Sequence, residues 1–91
     1  MQVKTKSGFK CEINDKVLDD WRFTRAVAKT HAKDDIERMS AAADLVALIL
    51  RDNEDAYYKY VETKNAGIVS EDIVTKDLIS IIEQIKALKN S

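Results

Sequence analysis

Proline is absent from the 91 residues, glycine occurs twice, and cysteine, histidine and tryptophan occur once each. Each shortage closes off a class of chemistry. With only Gly8 and Gly67, no glycine-rich loop can wrap a phosphate in the manner of a P-loop or a dinucleotide fold. A lone Cys11 can form neither an internal disulfide nor a thiolate zinc cluster, and it reads as a small buried strand residue. His31 alone cannot supply a histidine metal site or a triad with a positioned imidazole. It reads as an exposed polar residue near a helix C-terminus, where positive charge is favoured. No catalytic, cofactor-binding or metal-ligating residue is therefore assigned. The longest apolar run, "LVALIL" at 45–50, falls far short of the roughly 20 residues that cross a bilayer. "MQVKTKSGFK" lacks the apolar stretch of a signal peptide, so a cytoplasmic chain with no membrane partner is expected.

What is present is the material of one small globular domain, with 45% apolar and 34% charged residues. The formal charge of −1 hides an asymmetry. Residues 1–33 hold eight Lys/Arg against four Asp/Glu, a balance of +4, and residues 34–91 hold seven against twelve, a balance of −5. That layout suits protein contacts better than a phosphate backbone. The carboxylates of "DNEDAYYKYVET", 52–63, do not make a calcium loop, because Tyr57 stands where an EF-hand requires glycine. A helix-turn-helix reader is also disfavoured. Residues 53–64 place Glu54, Asp55 and Glu62 against Lys59 and Lys64, which repels phosphates, so no nucleic-acid partner is assigned.

Periodicity organises the chain as α+β, one domain over 1–91. A β-hairpin over 2–13 is followed by about four α-helices over 15–31, 35–51, 54–65 and 71–89. In the hairpin, Val3, Thr5, Phe9, Cys11 and Ile13 alternate with Lys4, Lys6, Lys10 and Glu12, the period of a strand with one buried face. Ser7-Gly8 reads as its two-residue turn. Asn14 is placed to cap the first helix, with Ile13 and Leu18 at staple spacing. Val17, Leu18, Trp21 and Ala28 form that helix's apolar stripe, and Phe23, Ala26 and Val27 broaden it. This makes Trp21 the expected packing anchor, with a truncation cost of about 3–5 kcal/mol. "DDIE", 34–37, resembles a capping box, and Ile36, Met39, Ala43, Val46 and Leu50 follow at spacings of three and four. The third helix is expected to turn Ala56, Tyr57, Tyr60 and Val61 inward and to end at Gly67. Ser70 caps the fourth, in which Val74, Leu78, Ile81, Ile85 and Leu88 make an apolar stripe with Ile73 and Ile82 beside it. Phe9, Ile13, Trp21, Val46, Leu50 and Ile81 are the expected core. Part of the broad stripe on the last helix can meet a protein, so Ile82, Ile85 and Leu88, with Tyr58 on the more exposed side of its helix, are the candidate partner-binding residues, for a client or for a homo-oligomer.

The hairpin "KTKSGFKCEIN", the segment "LDDW" at 18–21, the tyrosine-bearing third helix and the entry "AGIVSEDIV" at 66–74 together resemble the small tail assembly chaperones of long-tailed phages and prophages, over nearly the full length. The resemblance implies a non-enzymatic protein of the bacterial host cytoplasm that binds the tape measure protein, keeps it soluble and helps tail tube protein assemble around it. It supplies no contact residues. The alternatives are a small phage-encoded DNA-binding regulator and a generic protein-protein adaptor. The resemblance also implies a longer product made by a −1 ribosomal frameshift. Leu88-Lys89-Asn90 can be encoded as TTA AAA AAC, which contains a heptamer that permits it.

Overall fold

The computed structural model describes residues 1–90. Ser91, the last residue of the polar end Lys89-Asn90-Ser91, lies outside the described residues. Alternation in the first thirteen residues produces two antiparallel strands, β1 (Gln2–Lys4) and β2 (Lys10–Glu12), with Val3 opposite Cys11. Val3, Thr5, Cys11 and Ile13 are buried and Lys4, Lys6, Lys10 and Glu12 are exposed, as the period of two requires. The turn is longer than expected. Three residues, Lys6-Ser7-Gly8, join Thr5 to Phe9, whose carbonyl accepts from Thr5 N at 2.8 Å. The Thr5 hydroxyl takes the Phe9 N–H at 2.9 Å, which leaves the Thr5 carbonyl for Gly8 N at 3.0 Å. Gly8 sits at φ +109°, and a Cβ there would lie 2.6 Å from Tyr60 Oη, so both conformation and space demand glycine.

The helix expected over 15–31 is two pieces, a 3-10 turn at Asp15–Asp19 and α1 (Trp21–Lys29). Asp20 between them is extended and caps α1, its Oδ1 accepting from Arg22 N at 2.8 Å. The two aspartates of "LDDW" thus end one helical segment and start the next. This break resets the helical phase. Trp21 becomes the first residue of α1 and is 74% exposed, so it is not the packing anchor. Val17, Phe23 and Ala26 are buried in its place. Asn14 caps the 3-10 turn through Lys16 N at 3.0 Å.

Asp34 caps α2 (Asp35–Leu50) by accepting from Ile36 N at 2.9 Å. Its stripe is split: Val46 and Leu50 join Ala41, Leu45 and Ile49 in the core, whereas Ile36 and Met39 are exposed because the first turns project beyond it and Ala43 is exposed on the outer face of the helix. A 3-10 turn at Arg51–Asn53 leads into α3 (Glu54–Lys64), which buries Tyr57 and Val61 and half-buries Tyr60, while Ala56 faces out rather than in. Gly67, at φ +82°, ends this segment by donating to the Glu62 carbonyl at 2.7 Å. Ser70 caps α4 (Glu71–Lys89), accepting from Ile73 N at 3.2 Å, and Leu78, Ile81 and Ile85 are buried.

Both strands and all four helices contribute to one contiguous cluster, which contains Ile13, Val46, Leu50 and Ile81, with Phe9 packed at its edge. Among the described residues, no helix is long and apolar enough to cross a membrane. Core and surface positions should separate clearly in urea unfolding. Ile81→Ala is expected to cost about 2–5 kcal/mol, whereas Trp21→Ala should stay within about 0.5 kcal/mol of the parent chain.

Candidate interaction surface

Asp77 lies in α4 at 2% exposure, which only a well-satisfied carboxylate tolerates. It accepts from Ser7 N at 2.8 Å, Ser7 Oγ at 2.6 Å and Tyr57 Oη at 2.7 Å, and so joins the hairpin turn to α3 and α4. Two turns further along α4, Gln84 reaches the open edge of β1, its Nε2 donating to Lys4 O at 2.7 Å and its Oε1 accepting from Lys4 N at 3.2 Å. Seven residues of helix rise about 10 Å, close to the span of three extended residues, so β1 and its turn lie antiparallel along α4 with both grips in register. From α3, Tyr60 Oη donates to Ser7 O at 3.2 Å, and Asn53, just before α3, donates to Glu12 O at 2.9 Å. Phe9 enters between the rings of Tyr57 and Tyr60, with centroids 5.5 Å from each. Among the described residues, no buried side-chain nitrogen or oxygen lacks a hydrogen bond.

This fixes the orientation of α4. Asp77, Ser80 and Gln84 follow one line on the helix, and Leu78, Ile81 and Ile85 face the core beside it. Ile79, Ile82, Glu83 and Lys86 fall on the opposite side. There they line a groove of about 500 Å³ with Leu18 of the first 3-10 turn and Phe23 and Val27 of α1. Ile79 is 52% exposed at this groove. Lys89 Nζ, at 3.3 Å from Asp19, ties the last turn of α4 to the 3-10 turn. The groove is mostly aliphatic and aromatic, which suits the apolar face of a helix.

No protein-family model, curated protein or solved structure matches the chain.

Of the four expected partner contacts, Ile82 lines the groove. Ile85 does not: at 0% exposure it is a core residue, turned inward three positions from Ile82, and it is unavailable to a partner while the fold is intact. Leu88 is exposed on the last turn of α4, outside the groove lining. Tyr58 belongs elsewhere, in a shallow pocket shared with Val46, Val69 and Val74, where its hydroxyl donates to Glu54 at 2.7 Å. The four do not form one surface. Leu18, Phe23, Val27 and Ile79 complete the groove instead. The signal for Ile79 was the run "LISII" at 78–82, whose four apolar residues cannot all face one core from a helix.

Two phenols of α3 give the fold an alkaline limit. Burial, then the hydrogen bond to Asp77 and its charge, raises the Tyr57 hydroxyl well above its ordinary 10.0. Burial and Glu54 push Tyr58 up to about 12. The native chain thus keeps protons that the unfolded chain loses. Stability should be whole below about pH 10 and fall as pH rises from there toward the native values. Denaturation midpoints between about pH 8 and 11 are expected to decline less steeply in Tyr57→Phe than in the parent, because one of the two shifted phenols is gone.

Proposed function

We propose that this chain is a non-enzymatic tail assembly chaperone of a phage or prophage, acting in the host cytoplasm, which seats a helical stretch of the tape measure protein and assists tail tube assembly. The observation that carries this reading is the groove between α1 and α4. It offers exposed Ile79 and half-buried Val27 and Ile82 to a partner, above a floor of buried Phe23, while the core beneath it is complete without one. An amphipathic client helix docks into such a groove with side chains at spacings of three and four. The sequence resemblance over the hairpin, "LDDW" and "AGIVSEDIV" supports the same reading. Holding an aggregation-prone client requires only apolar surface on a stable frame, and the polar clamp on α4 supplies that frame.

The regulator alternative is less favoured by the packing, because α3, the helix a helix-turn-helix protein would insert into DNA, is occupied in gripping the hairpin. A generic adaptor differs from the chaperone in its client alone, so the client decides. Co-expression with the tape measure protein of the same tail operon is expected to raise its soluble fraction severalfold. Ile79→Asp, a change at an exposed position that leaves the core intact, should abolish that gain. A tape measure equally soluble without this chain contradicts the chaperone reading. Equal protection by Ile79→Asp moves the client off the groove.

A further inference from the structure

A second cleft opens on the other side of α1. Arg22, Arg25 and Lys29 line it at spacings of three and four, with Ala26, and α2 contributes Ala47, Leu48 and Asp44; its volume is about 330 Å³. The three cations span about 10 Å along the helix, and α1 contains no acidic residue to offset them. Arg22 is already held by Asp20, with Nη2 to Oδ2 at 2.7 Å and Nε to Oδ1 at 3.1 Å. Arg25 and Lys29 form no ion pair among the described residues. The cleft thus combines an apolar floor, small at its two alanines, with a row of three cations on one wall, two of them outside any ion pair, against the single carboxylate of Asp44 on the other.

We infer that the α1–α2 cleft is a docking surface for an acidic amphipathic helix of a partner protein. Charge and floor each narrow the choice. Carboxylates at spacings of three and four on a docked helix run parallel to the Arg22–Arg25–Lys29 row and face it over its full length. The same helix places apolar side chains on Ala26, Ala47 and Leu48, which complement nothing in a phosphate backbone. Asp44 separates the two classes further. A protein helix can meet it with a lysine, whereas a nucleic acid brings only more negative charge. This surface is distinct from the α1–α4 groove, since Phe23 and Val27 line one and Arg25 and Lys29 the other. The inference therefore stands whether or not the client is a tape measure protein.

The test uses the full chain and three probes. The first is a synthetic peptide of about 20 residues, long enough to form a helix, with leucines at spacings of three and four flanked by glutamates. The second is the same composition scrambled, and the third is a duplex DNA of about 16 base pairs. Titration calorimetry and amide chemical-shift mapping should place the amphipathic peptide on α1 and the second half of α2. Its affinity should weaken about tenfold between low and moderate salt, as screened charge pairs do. Arg25→Glu with Lys29→Glu should weaken it by at least about tenfold and the neutral pair Arg25→Gln with Lys29→Gln by less, while Lys59→Glu on α3 should change nothing. Spectra of each variant establish that it is folded. Absence of peptide binding, equal binding of the scrambled peptide, parent-like binding by the double charge reversal, or tighter binding of the DNA at the same residues would each overturn the assignment.

Discussion

The carboxylate of Asp77 is the constraint on which the rest of the structure depends. A two-stranded hairpin of this size is marginal alone, and its turn would ordinarily sit in solvent. Here the turn is taken into the protein, with Ser7 giving both its amide and its hydroxyl to Asp77 and Tyr57 giving a third donor. Hydrogen bonds to a charged acceptor contribute about 1.5–3 kcal/mol each, and losing the acceptor would leave buried donors unpaired at similar cost. The same side chain therefore decides whether β1 and β2, α3 and α4 form one core.

From that fixed point the outer surfaces follow. With Asp77 and Gln84 committed to the hairpin and Leu78, Ile81 and Ile85 to the core, α4 has one side left, and that side carries Ile79 and Ile82. α1 covers the core through Phe23 and Ala26 and presents different chemistry to each neighbour, apolar residues toward α4 and cations toward α2. Such a frame is suited to binding by shape and charge. A carboxylate with three donors already in place is suited to holding a loop.

Local signals in the sequence were strong and mostly sufficient for the elements. The alternation of 2–13 defines both faces of the hairpin, Asp34 and Ser70 cap α2 and α4, and Gly67 closes α3, because each of these depends on a few neighbouring residues. What was not legible depends on distant partners. Trp21 could be placed on a buried stripe only by assuming an unbroken helix from Asp15, and Asp20 breaks it. The three-residue turn follows from the Thr5 hydroxyl and from the approach of Tyr60, some fifty residues away in the chain. Ile36 and Met39 share the stripe of Val46 and Leu50, but periodicity does not say where the core stops. Asp77 carried a signal that only the fold explains, a lone carboxylate on the edge of the stripe formed by Val74, Leu78 and Ile81.

Native-state hydrogen exchange at the Ser7 amide tests the clamp most directly. An amide in the middle of an exposed hairpin turn exchanges almost as fast as in an unfolded chain, whereas one closed by a buried carboxylate exchanges only when the core opens. Held by Asp77, the Ser7 N–H should be protected to the same extent as the amides around Ile85, through the global unfolding reaction. Exchange of Ser7 within about tenfold of the unstructured rate, with the Ile85 region still protected, would mean that the hairpin turn is free of Asp77 and that the frame is held by apolar packing alone.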